Sequence, residues 1–279
     1  MANRARYEWF GSTGDIALRK YLIAFAATLV ATSALAADME IVKKIDVPLN
    51  QFADKVEIQG IRVGMPAAEA WEIFLKNYPT DAPEIKKLSI NVQTREVSSQ
   101  PLEVLYDSDP SLNEDGLQIF ISSPSVEPRV YGVHRDIYYQ ADKGRPQIAA
   151  VMEQLEQKYG KPSKVEKSRW DNSTSLQWYV GGAGTCTDIG VCNSVYSPTK
   201  REAYDPANFP QYIEEMKAGP EIVIAAYVKE TVDKDGKAFS LEVSFLDLKR
   251  RGLSAQSDTD QIMAAQKALT EKPAALPEL

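Results

Sequence analysis

The sequence predicts an α+β fold of two tandem units, each a helix followed by an antiparallel meander, the second a candidate internal duplicate of the first. Three observations carry this. Two amphipathic helices share one apolar pattern, a series of strand-like segments separated by turn residues follows each, and Asp235-Gly236 is a tight-turn pair between two apolar runs. Strands joined by such hairpins are antiparallel.

The chain opens on a segment outside this pattern. Arg19 and Lys20 precede the apolar run Tyr21–Val30, and small residues lead to Ala34-Leu35-Ala36. A basic start, a short apolar core and an A-x-A site form the pattern of a cleaved export signal. The run is shorter than the roughly 20 residues a membrane span needs. A mature chain beginning near Ala37, periplasmic or secreted, is expected. The polar stretch before Leu18 has no periodicity; an early start codon and a long n-region both account for it. Residues 1–36 are therefore set apart from the fold.

The first unit, residues 37–143, centres on a helix from Pro66 to about Tyr78, with Ala67, Ala70, Trp71, Phe74, Leu75 and Tyr78 along one stripe. Pro66 suits the first turn and Pro79 ends the helix. Strand-like segments follow at Lys87–Thr94, Leu102–Tyr106, Leu117–Ser122 and Val130–Gln140. The second unit, residues 144–255, starts on a helix from Pro146 to Tyr159, apolar at Ile148, Val151, Met152, Leu155 and Tyr159 and stopped by Gly160 and Pro162. Advancing the first helix by 81 positions lays Ala67, Ala70, Trp71, Phe74 and Tyr78 onto those five. Its strands are Ser163–Arg169, Ser175–Val180, Glu221–Glu230 and Phe239–Leu248. Between them, 181–220 is a long loop rich in Gly, Pro, Ser and Tyr, with one short helix over Pro210–Lys217. Residues 256–279 supply a terminal helix, Asp258 to about Leu269, and a tail.

Charge and cysteine usage narrow the function. The whole chain carries −7; setting aside four basic and two acidic residues before position 37 leaves −9. That acidity opposes nucleic-acid binding and docking on anionic lipid. In an oxidising compartment Cys186 and Cys192, six positions apart, are expected to pair as a disulfide; a redox pair wants C-x-x-C and zinc wants more ligands. So small a loop gains roughly 2 kcal/mol.

Motifs that resemble catalytic ones fail on their own terms. His134-Arg135-Asp136 copies a kinase catalytic loop, but the Asn required five residues after the Asp is Ala141; a strand with alternating polar residues is the better account. Ser197-Pro198-Thr199-Lys200 fits Ser-x-x-Lys, yet Ser111-Leu112-Asn113 precedes it and Lys217-Ala218-Gly219 lacks the hydroxyl. Asp233, Asp235, Gly236 and Glu242 mimic part of a calcium loop whose flanks read as strands. Asp107, Asp109, Asn113 and Asp115 have calcium-like spacing within a turn. A single histidine rules out a cage of several imidazoles, and no cofactor motif or metal set is predicted. Trp71, Trp170 and Trp178 read as core and sheet packing.

One resemblance is carried by Ile58-Gln59-Gly60-Ile61-Arg62-Val63-Gly64-Met65-Pro66 running into an amphipathic helix, and by Lys158-Tyr159-Gly160-Lys161-Pro162 closing a second. These resemble the helix start and close of small exported α+β modules, among them outer-membrane assembly lipoproteins of the small-protein-A type and β-lactamase-inhibitory-protein-like folds. Pro66 stands where those have a hydroxyl cap, and no cysteine follows the signal to carry lipid. The resemblance implies a protein that binds other proteins and is not an enzyme. The expectation is thus an exported, non-enzymatic protein binding a protein or cell-envelope component, with Tyr196 and Tyr204 of the stapled loop as contact residues. The alternatives are an envelope hydrolase using a carboxylate pair or Ser197 with Lys200, and a calcium-stabilised scaffold.

Overall fold

The computed structural model describes residues 37–38, 44–78, 84–86, 89–92, 95–98, 103–107, 115–168, 171–181 and 206–271. Residues Ala37–Leu279 form one compact unit, and the α+β class holds. Cys186, Cys192, Tyr196, Ser197, Lys200 and Tyr204 lie outside the described residues.

The chain enters through a parallel pair, β1 (Ala37–Asp38) with β6 (Arg95–Ser98), the latter in a hairpin with β5 (Ser89–Val92). The two-residue strands β2 (Glu57–Ile58) and β3 (Ile61–Arg62), which the sequence pattern did not suggest, form a tight hairpin. Gln59 and Gly60 turn it with φ of 55° and 79°, the two positive values a type I′ turn demands. The first helix, α1, runs Ala67–Asn77 and the second, α2, Ile148–Tyr159, within two residues of the expected bounds at each end.

All remaining strands join one antiparallel sheet. In chain order they are β4 (Glu84–Lys86), β7 (Glu103–Asp107), β8 (Asp115–Ile121), β9 (Val130–Tyr138), β10 (Lys164–Lys167), β11 (Ser173–Val180), β12 (Ile222–Glu230) and β13 (Ala238–Asp247). Their spatial order is β10-β11-β12-β13-β9-β8-β7-β4. From the central β9–β13 seam, each direction steps backwards through one meander.

The two halves also attach their helices alike. Pro66 bridges Arg129, just before β9, and Gln147 bridges Lys237, just before β13. Ala67 donates its amide to Pro128 O and Val130 to Met65 O; Ile148 donates to Gly236 O and Ala238 to Pro146 O, all at 2.8–3.2 Å. One backbone arrangement therefore occurs twice, at helices whose apolar positions superpose under the 81-residue shift.

Both helices bury their stripes on the same sheet face. Phe74, Tyr78, Ile119, Val133, Val151, Leu155, Trp178, Ile224, Val243 and Phe245 belong to one continuous apolar cluster. Trp71 stacks on Phe74 at 5.5 Å, and Trp178 donates its indole N–H to Gly160 O at 2.8 Å, so these two pack as expected, while Trp170 lies outside the described residues. A smaller cluster of Phe120, Tyr131, Val223, Ala225, Leu246 and Leu248 lies apart from it. There the last two helices pack, α3 (Phe209–Ala218) on α4 (Leu248–Glu271), with α4 touching β9, β12 and β13. The helix α4 begins ten residues before the expected Asp258. No described helix is long and apolar enough to cross a membrane.

Candidate functional site

Strand alternation divides His134-Arg135-Asp136 between the two faces of the sheet. Arg135 points into the helix-covered side, beside Leu117 and Val243 in register. It holds both carboxylate oxygens of Asp115, one through Nε at 2.8 Å, and the Gln59 amide lies against its guanidinium. Burial, followed by the hydrogen bond with Asp115 and then its charge, pushes the Tyr78 phenol up to about 12. Asp115 is thereby held in an ion pair; Asp109 and Asn113, which share its calcium-like spacing, lie outside the described residues.

His134 and Asp136 occupy the opposite face. Gln118, His134 and Ser244 stand in register on β8, β9 and β13, and Ala225 and Gln177 continue that row on β12 and β11. In the next row Asp136 faces Glu242, and Tyr227 follows on β12. His134 Nε2 lies 2.9 Å from Asp136 Oδ1. A ring nitrogen of His134 and one oxygen each of Asp136 and Glu242 all fall within 4.8 Å of one another.

The electrostatics of this patch follow from its depth. His134 is only 5 % exposed. Burial, reinforced by the Asp136 charge, raises the Glu242 carboxyl above its ordinary value, against the opposing pull of His134 and Lys229. Burial and the same two carboxylates raise the Tyr138 phenol. On the other flank Tyr227 donates to Asp171, whose carboxyl is held far below the usual range by hydrogen bonds from Ser168, Ser173 and Tyr227.

Three atoms of the first row are buried without a hydrogen-bond partner: Gln118 Oε1, His134 Nδ1 and Gln177 Nε2. Each such atom costs about 1–3 kcal/mol relative to a satisfied one. Beyond the carboxylates, Tyr138 and Phe239 are exposed and meet edge to face at 6.1 Å, with the Arg145 guanidinium 5.5 Å above the Phe239 ring. Chemically, the arrangement suits a small cation or polar group against imidazole and carboxylate, with aromatic surface alongside.

This grouping matches none of the motifs read from the sequence. His134 and Asp136 entered only as a failed kinase triplet and Glu242 only as the end of a failed calcium loop. The calcium loop resolves into a hairpin turn, where Asp235 Oδ1 accepts from Thr231 Oγ1 at 2.6 Å and from the Lys237 amide at 3.1 Å. Polar residues of equal parity on β9 and β13 were the available signal; the β9–β13 pairing that unites them was not. Comparison with family models, with curated proteins and with solved structures gives no match.

Proposed function

We infer that this is an exported, non-enzymatic protein that binds a protein or another component of the cell envelope, and that the His134–Asp136–Glu242 patch is its binding centre. The row of buried, unpartnered polar atoms at Gln118, His134 and Gln177 carries this reading. A fold keeps such atoms at a cost, and a bound group that completes their hydrogen bonds recovers it. The exposed Tyr138–Phe239 pair offers aromatic contact area beside the polar centre, the composition of an interaction surface. The export pattern ending at Ala36 and the likeness to exported binding modules point the same way. Within this proposal the Cys186–Cys192 staple and Tyr196 and Tyr204 form a second contact segment.

A photo-crosslinking side chain placed at Tyr138 in the exported protein tests it. One discrete adduct is expected, reduced at least fivefold when Gln118 and Gln177 are both changed to Ala. No adduct, or an adduct indifferent to those changes, overturns the reading.

The hydrolase alternative is favoured by one observation, the raised Glu242 carboxyl beside Asp136, since a carboxyl that keeps its proton next to a second carboxyl is what acid–base cleavage of a glycoside needs. It predicts turnover of peptidoglycan or aryl-glycoside substrates that Glu242→Gln abolishes; no turnover by the native protein removes it. Ser197→Ala with full activity would remove the version resting on Ser197 and Lys200.

A further inference from the structure

The ligand types at the patch name what it would hold. We propose that His134, Asp136 and Glu242 form a site for a divalent metal ion of the zinc class, with at least one coordination position left to water or to a group on the bound partner. This rests on the binding reading above and specifies its ligand.

Three features support the assignment. First, the donors converge from two strands, His134 and Asp136 two apart on β9 and Glu242 opposite Asp136 on β13, so the sheet ladder fixes their backbones. Their donor atoms lie within 4.8 Å of one another. Three atoms at zinc-bond lengths in tetrahedral array sit about 3.4 Å apart, a spacing bracketed by the 2.9 Å between His134 Nε2 and Asp136 Oδ1 and the 4.8 Å limit of the set. Second, His134 is 95 % buried by the complement of its 5 % exposure, and its Nδ1 has no partner. The opposing Gln118 Oε1 is likewise buried and unpartnered. With Nε2 turned to Asp136, an ion taking one ring nitrogen leaves the other to an outer group, and the buried Gln118 amide standing in register with His134 is the candidate for it. Third, imidazole with two carboxylates selects the metal. Calcium and magnesium take six or more oxygens, whereas one nitrogen and two oxygens suit zinc and its neighbours nickel, cobalt and copper.

The remaining clusters do not compete. The Arg135–Asp115 pair is self-neutralising. The buried Arg251–Glu215 pair closes the α3–α4 contact. The cavity of about 190 Å³ bounded by Val47, Asn50, Glu221, Asp247 and Arg250 mixes both charge signs and converges on no single point.

The test uses the purified, chelator-treated full chain titrated with cobalt(II) and then with zinc. One equivalent of cobalt is expected to bind with visible d–d absorption and without intense thiolate charge-transfer bands, and zinc should displace it. His134→Gln and, separately, Glu242→Gln should each weaken binding at least tenfold, with circular dichroism unchanged. Because the chain has one histidine, cobalt should also broaden a single imidazole resonance, a readout that needs no variant to fold. Failure of the native protein to bind cobalt or zinc below millimolar concentration, or undiminished binding by His134→Gln, overturns the metal site. The Tyr138 crosslinking separates this from the binding reading: an adduct without metal binding sinks the metal alone, and metal binding without an adduct sinks the envelope partner alone.

Discussion

Asp247 shows how burial at one residue sets a pH dependence. It ends β13, and its Oδ1 accepts the Arg250 amide at 2.9 Å, capping the first turn of α4. Burial pushes its carboxyl up from 3.8 to about 6, against the opposing backbone bond and charge of Arg250. The folded state therefore holds this proton more tightly than the unfolded chain. The associated stability is fully present below about pH 3.8 and is lost as pH rises through about 6. Asp247→Asn keeps a capping oxygen and cannot ionise. Between pH 4.5 and 7.5 the unfolding free energy of the native protein should fall by about 2 kcal/mol more than that of the variant, measured by urea denaturation at both values. An equal change in the two proteins would refute the assignment. At this scale the sequence was least informative: Asp247 reads as an ordinary strand-end acid, because nothing local announces the guanidinium of Arg250. That group donates to Val126 O and Val47 O at 3.0 and 2.9 Å from within the same buried corner.

At the scale of elements, α1 and α2 were legible because each buries a stripe of large apolar residues at helical spacing. The helix α4 was legible only in part. Its first half, Leu248–Ser257, mixes Lys249, Arg250, Arg251, Gly252 and Ser254, a composition without an apolar helical stripe. The structure buries those residues through specific partners: Arg251 pairs with Glu215 and lies over the Tyr212 ring at 4.4 Å, and Ser254 Oγ accepts from the Ser123 amide at 3.2 Å. A helix whose buried face is polar has no apolar period to find. At Gly252 the helix α3 comes close against α4. A Cβ there would overlap Met216 Cβ and come within 2.9 Å of the Tyr212 carbonyl oxygen. Alanine gains up to about 1 kcal/mol in helix propensity over glycine, but here it meets neighbouring backbone. Gly252→Ala should destabilise by about 1–3 kcal/mol net, read as a lower denaturation midpoint; a stabilised variant would show that α3 yields.

At the scale of the molecule, the recurring helix attachment raises the question of whether the two halves fold as separate bodies. The packing answers against it. The main apolar cluster runs without a break from α1 and β8 through β9, β13 and β12 to α2 and β11. The seam between the halves is itself core: Phe245 on β13 is fully buried and stands in register with Val133 on β9 and Ile224 on β12. Neither half keeps that seam covered without the other, so neither has an independent core of its full size. The sequence could show two similar units but not this junction, because a strand pattern does not say which neighbour it takes across the sheet. The native protein should therefore unfold in one transition. With Trp71 or Trp178 retained as the sole fluorescent reporter in its half, the two denaturation curves should coincide with each other and with far-ultraviolet circular dichroism. Phe245→Ala should cost about 3–5 kcal/mol and move both reporters by the same amount. A variant in which Trp178 melts early while Trp71 keeps its native midpoint would show two cores rather than one.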